Sequence, residues 1–64
     1  METFELLLND RRYAEPVLVV ISVSDEQRAR EWAGRLMAES PDCQEVEVCQ
    51  LGKRLFSLDR EHEN

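Results

Sequence analysis

Apolar and polar residues form periodic segments along the chain, and the first two segments predict β-strands. In residues 2–8, Phe4, Leu6 and Leu8 recur at every second position, as they would on one side of a strand. In residues 17–23, five of the seven residues are β-branched, which suits a pleated strand and disfavours a helix. Apolar residues occupy both sides of this second segment, so that one packed helix covers only half of its apolar surface.

Two further strands are predicted in the second half of the chain. Residues 45–49 alternate strictly between polar and apolar side chains, as in a strand with one side in water. Residues 54–58 follow a turn that contains Gly52 and form the last apolar segment. The two strands are therefore expected to form a hairpin.

One amphipathic helix is predicted between the second and third strands, over residues of about 25–40. Ser24 is the expected N-cap, with Gln27 completing a capping box, and Pro41 ends the helix. We predict that Trp32 packs on the sheet, because it belongs to the apolar stripe of the helix. The stripe has i, i+3, i+4, i+7, i+8 spacing and consists of Ala29, Trp32, Ala33, Leu36 and Met37.

The order of these elements predicts an α+β fold, a two-layer ββαββ sandwich in which one four-stranded sheet carries a single helix on one face. Residues 1–58 are expected to form this single domain, and residues 59–64 a frayed acidic tail. The strand order 1-2-3-4 is favoured, because it places the apolar second strand inside the sheet. The order 2-1-4-3 places that strand at an edge, where it would be prone to aggregation unless it paired with its twin in a dimer.

The charge balance restricts the possible partners of the protein. Fourteen acidic residues against eight basic ones give a net charge of -6, which argues against direct binding to nucleic acid. The longest apolar run has five residues, far fewer than the about 18–20 of a membrane-spanning helix. The acidic residues could form a solvated surface or a patch for a basic protein partner. The densest acidic group consists of Glu39, Asp42, Glu45 and Glu47.

The beginning of the chain and its cysteines predict a cytoplasmic location. The first residues contain neither the basic n-region nor the small-residue cleavage site of a signal peptide. Cys43 and Cys49 are six positions apart and do not form a CxxC motif. We therefore expect two reduced thiols rather than a disulfide.

The sequence contains little that suggests catalysis. Its single histidine, His62, lies in the predicted tail, where no rigid element would hold a general base. Two cysteines and one histidine are too few for a structural zinc site, which needs about four such ligands. The chain also contains no GxGxxG, Walker or GxSxG motif. We therefore predict no enzymatic activity, no metal and no cofactor.

Two surfaces are candidate interfaces. The first is the sheet face away from the helix, where an exposed apolar patch on so small a domain favours self-association. The second is a strip of small residues on the outer side of the helix, which would allow close approach of a partner. The candidate residues are Leu18, Val20, Cys49 and Leu55 on the sheet, and Gly34 and Ala38 on the helix.

These features predict a small, non-catalytic, bacterial-type protein-interaction module that acts as a homodimer through its second sheet face. One alternative is an acidic inhibitor or nucleic-acid mimic of the phage anti-defence type, which would bind a basic protein. Another is a binder of a small ligand across the cleft of a dimer. The sequence does not indicate the biological role of the protein.

Overall fold

The computed structural model describes residues 1–59 and has the predicted ββαββ order of an α+β fold. Four strands form one antiparallel sheet, and the single helix packs on one of its faces. Asp59, expected in the tail, is the last residue of the fourth strand, and the rest of the predicted tail lies outside the described residues. The elements are β1 (Glu2–Asp10), β2 (Val17–Val23), α1 (Glu26–Glu39), β3 (Cys43–Gln50) and β4 (Lys53–Asp59).

The strand order is β2-β1-β3-β4, so the favoured interior position of β2 is wrong. β2 pairs with β1 on one side only and forms an edge of the described sheet. β1 takes the interior position, because β2 and β3 pair with its two sides and the helix crosses over it between them. Phe4, Leu6 and Leu8 give β1 one apolar face, and Leu7 adds a single apolar residue to the other face.

The register of the strands turns one apolar set towards the helix. Leu6 lies opposite Val19 of β2 and Val48 of β3, and all three belong to the side chains that pack around the core. On the helix, Ala29 and Ala33 are buried, and their small side chains allow α1 to lie close to the sheet. The largest fully buried side chains are those of Phe4, Leu6, Val46, Val48 and Cys43.

The helix begins one residue later than its predicted cap. The N-cap is Asp25 rather than Ser24, and its carboxylate accepts a hydrogen bond from the backbone N–H of Arg28 at 3.0 Å. An aspartate at this position also places negative charge at the positive end of the helix dipole. The helix ends at Glu39, and Ser40, which precedes Pro41, is extended.

Trp32 does not occupy the core position predicted for it. Its side chain is 39% exposed, and the guanidinium of Arg35 lies 5.3 Å from the centre of its ring. At about 100° per residue, Trp32 is about 80° away from the direction of Ala29 and Ala33, at the border of the stripe. The two alanines therefore form the contact with the sheet, and the tryptophan lies beside it.

Candidate protein-interaction surface

The outer face of the sheet, defined as the face turned away from α1, is apolar along β2. Leu18 and Val20 are each 58% exposed on this face. Leu18 lies opposite Leu7 of β1, and Val20 lies opposite Glu5. The structure thus brings the two predicted β2 residues together on an open surface, and Leu7 extends their apolar patch by one strand.

The middle of the outer face is acidic instead. Glu47 lies opposite Leu7, and its carboxylate is 3.9 Å from the guanidinium of Arg54. Glu45 lies opposite Asn9, whose side-chain amide donates a hydrogen bond to it at 2.9 Å. The outer face therefore changes from apolar at the β2 edge to acidic on the central strands.

Cys49 and Leu55, the other two sheet candidates, lie at a β-bulge. Val48 pairs with Phe56 while Cys49 pairs with Arg54, so Leu55 is left as the extra residue of β4. Leu55 is exposed, whereas Cys49 is already buried within the single chain. Protection of the Cys49 thiol from a reagent therefore does not report on dimer formation.

The acidic group predicted from the sequence is divided between the two layers. Glu45 and Glu47 share the outer face of β3, whereas Glu39 lies in the last turn of α1 on the other side of the sheet. Asp42 lies in the connection between them, 3.5 Å from the guanidinium of Arg12. The four carboxylates therefore do not form one continuous patch.

The small-residue strip of the helix is open to solvent. Gly34 and Ala38 are both exposed, and a Cβ atom at Gly34 would meet nothing within 4 Å among the described residues. This position leaves space for a partner, but nothing packed within residues 1–59 uses it.

The two edges of the described sheet differ in how they are protected against pairing. The β4 edge carries charged residues, among them Lys53 and Arg54, and it is distorted by the bulge. All seven residues of β2 are uncharged, and they pair with β1 without interruption from Val17 to Val23. Charges and bulges are the usual devices that prevent an edge from adding another strand. We call β2 the open edge of the sheet.

One side of the helix faces this open edge. The guanidinium of Arg30 stacks 4.1 Å from the ring centre of Phe56, so that side of α1 faces β4. Trp32 is about 160° further around the helix and therefore points to the β2 side. Leu36 shares this side and, together with Val17, lines a cleft of about 370 Å³ between α1 and β2. We call the side with Trp32 and Leu36 the β2 flank of the helix.

Three polar residues that line the cleft, Asp10, Arg12 and Ser40, form hydrogen bonds with one another. The buried carboxylate of Asp10 accepts hydrogen bonds from the backbone N–H of Arg12, from its guanidinium and from the hydroxyl of Ser40. The hydrogen bond from the Arg12 side chain is the main reason that the pKa of Asp10 is lowered to about 2. Through these hydrogen bonds the cluster holds the β1–β2 connection against the end of α1. We call it the joint at Asp10.

Sequence reasoning missed this cluster. The apolar alternation predicts a first strand that stops at Leu8, whereas Asp10 is the last residue of β1 and is buried. The signal available in the sequence was an Asp-x-Arg spacing at the end of a strand, which is too common to identify a buried ion pair. Its importance follows from Ser40, which is 30 positions away in the chain.

The described residues contain no arrangement typical of a metal centre. Among residues 1–59, no group of three or more His, Cys, Asp or Glu side chains is placed to hold a metal ion. Cys43 and Cys49 are not joined in a disulfide in the described part of the chain. No helix within the described range is both long and apolar enough to cross a membrane.

Comparison of the chain with protein-family models, with curated proteins and with solved structures finds no match.

Proposed function

We propose that this protein is a small, non-catalytic protein-interaction module that works as a homodimer. The observation that carries the proposal is the exposure of Leu18 and Val20 on an edge strand that lacks charge. The surface is open on the outer face, where these residues lie, and along the backbone of β2.

The exposed patch matters for stability because the domain is small. Full burial of a leucine or valine side chain contributes about 1.5–3 kcal/mol, and more than half of each side chain is exposed here. A chain of this length buries only about 60% of its unfolded surface, so its stability is small. Association that covers part of this patch would add to that stability.

A second copy of the same chain is the simplest partner for such a patch. A two-fold axis places the same surface on both sides of an interface, so the apolar residues of the β2 edge in one copy lie beside those of the other.

The other two candidate functions have weaker support. An acidic mimic needs a continuous charged surface, but the predicted group is divided between the two layers, and Glu45 and Glu47 already have polar neighbours. For a small ligand bound across the cleft of a dimer, the charged side chains in the cleft beside α1 offer little, because Asp10 and Arg12 already bind each other.

Sedimentation velocity over a range of concentrations tests the proposal. We expect the wild-type chain to be a dimer at micromolar concentration, and Leu18→Glu combined with Val20→Lys to shift it to a monomer without a change in net charge. Ser57→Gln is the control, because it leaves the net charge unchanged and Ser57 is exposed on the outer face of β4, away from the patch. A wild-type chain that stays monomeric at millimolar concentration would disprove the homodimer.

A further inference from the structure

We infer that the two copies join edge to edge, with β2 of one copy paired antiparallel to β2 of the other about a two-fold axis. The two four-stranded sheets then form one continuous sheet, and both helices lie on the same side of it. This inference rests on the proposed homodimer and names the surface that makes it. Pairing about Val20 places Val20 of one copy beside Val20 of the other on the outer face, and Leu18 beside Ser22, so the apolar side chains of the patch are covered on one flank and the rest of the face stays open.

The two edges of the described sheet differ in their protection against the addition of another strand. β4 carries the charges and the bulge that prevent strand addition, and β2 has neither over its seven paired positions. Alternate residues of β2 direct their N–H and C=O groups away from β1, in the arrangement that receives another strand. With the axis at Val20, Val19 of one copy lies opposite Ile21 of the other, and no charged residues face each other.

Stacking of the two outer faces is another symmetric arrangement, and the charges on these faces disfavour it. The centre of that face carries Glu5, Glu45 and Glu47, so stacking would bring the carboxylates of two acidic chains together in a poorly solvated interface. Strands are about 4.8 Å apart, so edge pairing keeps β3 about 12 Å from the axis. The Glu47 carboxylates of the two copies are then separated by much more than the screening length of about 8 Å at physiological salt.

The position of Trp32 on the β2 flank also fits edge pairing. The helix connects β2 to β3 and crosses β1, which lies about 7 Å from the proposed axis by strand spacing. Because α1 packs more on β3 than on β2, the two helices are at least about 14 Å apart, too far for direct packing at about 8–10 Å. The β2 flank faces this gap, and Trp32 is the large side chain available to fill it. Its exposure in the single chain is then explained as an interface anchor, a role in which tryptophan is enriched.

Hydrogen exchange measured by NMR tests the edge pairing directly. In a single chain or a stacked dimer, alternate amides of β2 face water and exchange quickly. In the edge-paired dimer both sets of β2 amides are hydrogen-bonded, so the outward set should exchange at least about tenfold more slowly at high than at low protein concentration.

Two substitutions separate the arrangements further. Trp32→Ala should weaken the dimer about tenfold or more, whereas Ala38→Gln, on the exposed side of the helix, should leave it unchanged. Leu7→Lys places a cation beside Glu47 on the outer face, one strand away from the edge. It should preserve an edge-paired dimer and disrupt a stacked one.

The possible failures are distinguishable. A dimer whose outward β2 amides exchange quickly at all concentrations, or one that Leu7→Lys dissociates, overturns edge pairing and leaves the homodimer standing. A dimer that is insensitive to Trp32→Ala overturns the role of the helix flank. A chain that never dimerises overturns both the proposed function and this inference.

Discussion

Asp10 and Arg12 form a two-point ion pair, in which Nε of Arg12 is 3.0 Å from Oδ1 and Nη2 is 2.8 Å from Oδ2 of the carboxylate. The backbone N–H of Arg12 donates a further bond to Oδ1 at 2.8 Å. This geometry favours the charged carboxylate, because both oxygens accept from Arg12 and the guanidinium is positively charged. The hydroxyl of Ser40 also donates to this carboxylate, so the charged joint at Asp10 links the end of β1 to the end of the helix.

The lowered pKa of Asp10 predicts an acid-sensitive contribution to stability. Its pKa falls from 3.8 to about 2 in the folded chain, mainly through the hydrogen bond from Arg12. A depressed folded pKa stabilises the fold above the unfolded pKa, and this contribution is lost as the pH falls through the folded pKa. We expect Asp10→Asn to remove the part of the acid sensitivity that falls between pH 3.8 and about 2.

Urea unfolding at a series of pH values measures this effect as the difference between wild type and Asp10→Asn. Glu15→Gln is the matched control, since it removes one exposed carboxylate from the same β1–β2 connection. Equal pH profiles for wild type and Asp10→Asn would contradict the predicted role of the ion pair.

The N-cap of the helix gives a second prediction. Asp25→Ala removes the carboxylate that accepts the Arg28 N–H, and it should lower the free energy of unfolding by about 0.5–2 kcal/mol. Ser24→Ala changes the residue just before the cap and should have little effect. Urea denaturation of the two variants in parallel distinguishes the caps, and the reverse order of stabilities would restore Ser24 as the N-cap.

The β3–β4 hairpin turn offers a stabilising substitution. Leu51 has φ of 54° and Gly52 has φ of 78°, so both residues of this two-residue loop lie in the left-handed region. Leu51 is also 94% exposed, so its side chain gains nothing from packing. Leu51→Asn should raise the free energy of unfolding by about 0.5–1 kcal/mol, because asparagine tolerates this conformation better. Leu51→Val should lower it, and a thermal melt showing the opposite order would refute this account of the turn.

The salt dependence of dimerisation is a further expected outcome. Each copy has a net charge of -6, and edge pairing brings two such charges together without opposite charges at the paired strands. Added salt screens this repulsion, so the dissociation constant should fall as the ionic strength rises towards about 0.15 M. Binding of a basic partner would weaken instead over the same range, so sedimentation at several salt concentrations separates the two modes.

Local patterns in the sequence determined the elements and their faces. The alternation of Phe4, Leu6 and Leu8 and the stripe through Ala29 and Ala33 act between neighbours in the chain, so they predicted which sides are apolar. The same alternation placed Leu18 and Val20 on the face away from the helix, where the structure has them. These predictions succeeded because side-chain direction in a strand or helix depends only on its own backbone period.

Only the tertiary structure decided the strand order, the exposure of Trp32 and the joint at Asp10. β2 is the more apolar of the first two strands, yet β1 occupies the interior, so the local patterns do not decide the strand order. That choice depends on pairing between β1 and β3, residues about 40 positions apart, as in Leu6 and Val48. Once the helix lies over β1, Ala29 and Ala33 make the contact, Trp32 turns to the open edge, and Ser40 reaches Asp10. Local periodicity defines a side chain's face, whereas its neighbours are set by contacts between distant parts of the chain.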